Sequence, residues 1–150
     1  RNTGSVYAFN KWLCGDVDSG NILEITKDTH LEVSYPIQTE VWSKPIQKFP
    51  AHIRVPSIWI DIATGVGDAE GVDPIATDPD IEIDWSDDGG LSFATPRLRK
   101  IGRQALGKTR VRVNQCGRSG SQGRIIRVKQ SSPVHFGLMG GEVAAELAVA

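Results

Sequence analysis

Helical periodicity is nearly absent from this chain. Its informative segments alternate apolar and polar residues with period two, as strands with one buried face do: ILEI (22–25), LEVSY (31–35), IRVPSIWIDI (53–62), IEIDW (81–85), TRVRV (109–113) and RIIRV (124–128). Gly, Pro, Asp and Asn punctuate the stretches between them, and the chain holds 16 glycines. Short strands at this spacing predict an all-β fold of antiparallel hairpins, β-propeller-like, with a β-sandwich as the alternative. Pro56 falls inside an otherwise good strand, so that segment is expected to be an edge, a bulge or two strands joined at the proline. Residues 64–80, TGVGDAEGVDPIATDPD, carry turn residues without alternation and predict a long exposed loop. The tail GGEVAAELAVA reads two ways: its alanines favour a short helix, while Val143, Leu147 and Val149 can line a last strand.

A chain of 150 residues has the usual size of one domain, and such a domain buries about 70% of the surface its unfolded chain exposes. One all-β domain over 1–150 is therefore expected. Hydrophobic residues at 39% and charged residues at 23% place it with folded rather than disordered chains. No apolar run approaches the roughly 20 residues of a membrane helix, and RNTGSVYAF lacks the regions of a signal peptide; no membrane association is expected. A start at Arg1 rather than Met suggests a processed product or a fragment. Cys14 and Cys116 lie far apart with no metal-ligand spacing, and His30, His52 and His135 are equally scattered. The cysteines read as two buried thiols in a reduced compartment, and no metal or cofactor is expected.

Net charge is −1, but its distribution is uneven. Residues 61–90 contain ten acidic side chains and no basic one, whereas residues 97–129 contain eleven Lys or Arg and no acid.

The acidic block ends in IEIDWSDDGGLSF (81–93). Ile81, Ile83 and Trp85 alternate with Glu82 and Asp84, giving one apolar face that leads into a turn. Ser86, Asp88, Gly90, Ser92 and Phe93 then follow the spacing Ser-x-Asp-x-Gly-x-Ser-aromatic. In such a turn the carboxylate and hydroxyl accept backbone N–H bonds, glycine supplies positive φ, and the aromatic packs beneath. The pattern resembles the Asp-box, a β-hairpin motif of sialidases and other β-propellers; it defines a hairpin and says almost nothing about activity. Two chemical readings compete with it. Asp84, Ser86, Asp88 and Gly89 occupy positions 1, 3, 5 and 6 of a calcium loop, but position 12 is Thr95 and the flanks read as strands. Asp84, Asp87 and Asp88 also offer the paired carboxylates of a propeller glycosidase. Solvated turn carboxylates with no catalytic part are favoured over both, with Asp87 facing water.

The basic block suggests a second surface. On TRVRV, Arg110 and Arg112 point away from Val111 and Val113; Arg127 and Lys129 do the same beside Val128. If the two strands are neighbours they display one basic face, open to phosphate contact but without aromatic residues of its own for base stacking. The competing reading is a solvated or partner-facing surface that pairs with the acidic block. GRSGSQG (117–123) is an exposed turn without the strand-to-helix context of a phosphate loop.

Taken in order, GDVDSGNILEI, YPIQTEVWSKPI, IWIDIATGVG, PDIEIDWSDDGGLSF and IGRQALGKTRVRVNQCGRSGSQGRIIRVKQSSPVHFGLMGGEV resemble the C-terminal part of the packaged-DNA stabilization proteins of short-tailed bacteriophages. The similarity runs from Trp12 to Val143. It departs from the family pattern at Gln115-Cys116-Gly117, where Arg-Leu-Gly is usual, and at Gly90-Leu91-Ser92-Phe93, where Gly-Arg-Thr-Trp is usual. Family members are much longer, so the resemblance implies the C-terminal part of a propeller-like protein.

It further implies a structural virion protein without catalysis, assembled in the host cytoplasm into the tail. Its place would be a ring, hexameric in the family, below portal and adaptor, lining the DNA exit channel and retaining packaged genome. The partners implied are other copies of the chain, the adaptor and portal, and tail needle or tailspike proteins, with non-specific DNA contact. Arg110, Arg112, Arg124, Arg127 and Lys129 are the expected contacts to a neighbouring subunit or to DNA, and Asp88 the staple of its hairpin.

Overall fold

The computed structural model describes residues 2–69, 74–107 and 109–148. Residues 70–73 of the expected loop, Lys108 of the basic block and Val149 of the tail lie outside them. Apart from one four-residue helical turn, α1 (Pro74–Thr77), the regular structure is antiparallel strand. The chain, treated above as one domain, divides into two compact units, Arg1–Pro36 and Ile37–Ala150.

The first unit is a three-stranded sheet of β1 (Asn2–Ala8), β2 (Lys11–Asp16) and β3 (Ile22–Glu24), followed by a small hairpin of β4 (Leu31–Glu32) and β5 (Tyr35–Pro36). LEVSY is thus a hairpin rather than one strand: Val33 takes φ +60°, which breaks extended backbone between the halves. Asp16 is the unit's one buried described residue. Its carboxylate accepts the Ser19 hydroxyl and the Asp18 amide, and its own amide donates to Asn21 O at 3.0 Å. A polar turn, not an apolar core, organises this unit.

Among the described residues, the buried apolar side chains all belong to the second unit, from Ile53 onward. One sheet has the order β6 (Thr39–Trp42), β11 (Ile125–Gln130), β8 (Asp80–Ser86), β9 (Arg97–Lys100). The other has β10 (Val111–Asn114), β7 (Ile53–Ile62), β12 (Leu138–Leu147). Val55, Ile58, Val111 and Val113 from the second sheet share one core with Ile81, Ile83, Ile126 and Val128 from the first. Two antiparallel sheets around a common core are the sandwich form of the expected all-β fold. At one side the edge strands β9 and β10 are joined, because Arg99 Nε donates to Arg112 O at 2.8 Å.

β7 keeps its ten residues through Pro56 because it bulges there. Its register against β12 slips between Ser57 and Arg54, so the proline is not asked for a ladder N–H. The tail resolves as strand: β12 pairs along β7 from Leu138 to Leu147. The loop after β7 is less exposed than its composition suggests. Gly67 and Pro79 are buried, and a Cβ on Gly67 would stand 2.5 Å from Thr77 O.

Candidate functional site

β8 and β9 form the hairpin that the alternation leading into DDGG predicts, with Asp80 opposite Lys100 and Ile83 opposite Arg97. The connection is stapled as the Ser-x-Asp-x-Gly-x-Ser spacing requires. Ser86 Oγ donates to Asp88 Oδ1 at 2.6 Å and accepts the Gly90 amide at 2.8 Å. Asp88 Oδ1 also accepts the Ser92 amide at 2.9 Å, and Oδ2 accepts the Ser92 hydroxyl at 2.5 Å. Gly89 and Gly90 take φ +79° and +98°, and a Cβ on Gly90 would meet the Trp42 ring at 3.1 Å, so both conformation and space favour glycine there. Phe93 packs edge-on against Trp42 of β6, ring centroids 5.0 Å apart.

These bonds favour the ionised carboxylate: the Ser86 hydroxyl first, then the Ser92 hydroxyl and amide, hold Asp88 well below the usual carboxylate range. A depressed native value stabilises the fold fully above the unfolded value of about 4, and the contribution is lost as pH falls through the native value. Asp88→Asn is therefore expected to lower the urea midpoint at neutral pH, with the gap to wild type narrowing as pH drops below about 4. A gap that stays constant to the acid limit of folding would show that the charge of Asp88 contributes nothing.

Both neighbouring aspartates are held by arginines, Asp84 in the interior and Asp87 with a third of its side chain still exposed. Asp84 is 1% exposed, although it alternates with the apolar face of β8, and both its oxygens accept from Arg127, Nε at 2.9 Å and Nη2 at 2.5 Å. The Arg127 guanidinium lies over Phe93, 3.5 Å from the ring centroid. Asp87, expected to face water, forms a second fork: Arg124 Nε and Nη2 reach its carboxylate at 2.8 and 2.7 Å. Arg124 is 1% exposed and also donates to Cys116 O at 2.6 Å and Arg118 O at 3.0 Å. It is thus an interior residue rather than the surface contact expected of it. Arg127, half-buried and bound to Asp84, is likewise engaged within the fold, and Lys129 stands 3.7 Å from Glu40. The opposed charge blocks meet inside one chain, with Lys100 near Asp78 and Asp80 as well.

Arg110 and Arg112 have a different setting. β10 pairs with β7 and β11 with β6 and β8, so the two basic strands belong to different sheets and do not make the single face expected. Arg112 and Arg110 instead stack on Trp59 of β7, at 4.4 and 5.3 Å from its ring centroid. Neither forms an ion pair with a described residue. The aromatic missing from the basic block is supplied across the sheet, since Trp59 is the register partner of Arg112. An open depression of about 750 Å³ lies beside them, bounded by Trp59, Asp61, Arg110, Gly141 and Glu142.

The calcium and glycosidase readings both need carboxylate oxygens free to converge on one point. Asp84 and Asp87 face arginines and Asp88 faces serines, so the three groups are spoken for separately. Among the described residues, no three His, Cys, Asp or Glu side chains gather as metal ligands. Cys14 is half-buried, and Cys116 is buried with its thiol pushed up by desolvation; both are free. No described helix is long and apolar enough to cross a membrane. In comparisons with protein families and with curated proteins, the chain finds no match.

Proposed function

We propose that the protein is a structural component of a short-tailed phage tail: a ring-forming element below portal and adaptor that lines the DNA exit channel and helps retain the packaged genome. The observation that carries this reading is the commitment of the most enzyme-like side chains. Asp88 is engaged within the β8–β9 turn and Asp84 and Asp87 with Arg127 and Arg124, which suits a rigid building block and leaves no poised acid–base pair in that turn. The sequence resemblance from Trp12 to Val143 supplies the particular place.

The test is composition and activity together. Mass spectrometry of purified virions of the source phage is expected to find the chain in tails, and purified protein is expected not to hydrolyse aryl glycosides. Absence from particles, or hydrolysis that disappears in Asp88→Ala, would overturn the reading.

One observation favours a second reading, contact with an anionic polymer such as DNA. Arg110 and Arg112 are oriented on Trp59 yet have no carboxylate partner among the described residues, so their outer edges are open to phosphate. DNA binding through them predicts a steep salt dependence whose slope falls by about 2 when both are neutralised. An unchanged slope would assign these arginines to protein contacts.

A further inference from the structure

The β1–β2 hairpin has an unusual tip. Its two-residue turn is Phe9-Asn10, with φ of +53° and +61°, the left-handed pair of a type I′ turn. Asparagine and glycine suit such a turn; phenylalanine is costly there because its Cβ crowds the backbone. Phe9 is also 90% exposed, so its own hairpin offers its ring nothing to pack against. The residues around it hold the tip rigid. Tyr7 and Trp12 are cross-strand partners with ring centroids 5.3 Å apart, and Tyr7 Oη donates to Asn10 Oδ1 at 2.6 Å. Strain and exposure at one large aromatic, on a braced hairpin, are the marks of a side chain whose partner lies outside the chain.

The second unit has a matching hole. Opposite the side joined by Arg99, the edge strands β6 and β12 leave the two sheets apart around an apolar cleft of about 240 Å³. Val41, Trp42, Ile46, Ile60, Leu138 and Val143 line it. A cavity of about 150 Å³ already admits benzene, so this one has room for a phenyl ring. Glu142 stands in its wall without an ion pair to a described residue, and Lys11 adjoins the hairpin tip in an exposed pair with Glu24 that can be exchanged at little cost.

We infer that the Phe9 hairpin of one copy seats in the β6/β12 cleft of a second copy, with Phe9 as the knob. Knob and hole are formed by different segments of the chain, so the contact is head-to-tail and closes into a ring where the rotation permits. The inference deepens the tail-ring reading by naming the contact between subunits, but it is separable from it.

Light scattering of the full chain over rising concentration tests it. Wild type is expected to associate, and Phe9→Asp and Val143→Asp are each expected to weaken association about 30-fold, as loss of an interface hot spot does. Phe9→Gly separates this role from a local one: it is expected to raise hairpin stability by relieving the turn, yet weaken association equally. Far-UV circular dichroism confirms that each variant is folded. A chain monomeric at every concentration overturns the inference, as does association indifferent to Phe9; association that responds to Phe9 but not to Val143 removes the cleft as the socket. Tails that contain the chain while the purified protein stays monomeric would sink this contact and leave the tail assignment standing; the reverse result would do the opposite.

Discussion

Arg124→Ala is expected to lower the unfolding free energy by about 3 kcal/mol, the low end of the cost of breaking a buried ion pair, because the Asp87 left behind is 34% exposed and water can solvate it. The side chain is wholly buried and uses both edges of its guanidinium, on the Asp87 carboxylate and on the carbonyls of Cys116 and Arg118. Its loss strands those acceptors and leaves a void beside Trp85, over which the guanidinium now lies at 5.2 Å. Urea unfolding followed by tryptophan fluorescence measures the effect. A loss below about 1 kcal/mol, the size of an exposed pair, would contradict the buried fork.

Asp84→Asn is expected to cost about 3 kcal/mol for a related reason. The amide keeps the shape but withdraws the counter-charge from Arg127, whose guanidinium is enclosed between Asp84 and the Phe93 ring. The pair is not irreplaceable, because apolar groups of similar volume often equal a buried ion pair in stability. The double variant Asp84→Leu with Arg127→Met is therefore expected to unfold later in urea than Asp84→Asn alone. If the double variant is the weaker, the pair contributes net stability beyond filling the space.

What was legible in the sequence was local. Alternation located β7, β8, β10 and β11, because a strand with one buried face writes its period into a few adjacent residues. The Ser86–Asp88–Gly90–Ser92 staple was legible for the same reason: every bond in it spans four residues or fewer. β1, β2, β6 and β9 carry no clear alternation, being largely exposed or only partly covered, and were not foreseen. The misreadings at the site concern partners that are distant in the chain. Asp87 is 37 residues from Arg124 and Asp84 is 43 from Arg127, so nothing beside either aspartate announces its counter-ion. The expectation of one basic face failed likewise, because alternation fixes which way a side chain points but not which sheet its strand joins.

Arg127 of β11, Arg124 just before that strand and the two aspartates that receive them share one spacing. Arg124 and Arg127 are three residues apart, as are Asp84 and Asp87, and the strands run antiparallel with Arg127 opposite Asp84. A slip of two residues would keep every apolar side chain on its proper face and so go undetected by the hydrophobic core. It would, however, part both charge pairs at once, and in either direction it would leave the buried Arg124 with no carboxylate opposite it, at Trp85 or at Gly89. The pairs therefore act as a vernier between β8 and β11: apolar burial selects the face, and matched charges select which of the permitted alignments is occupied.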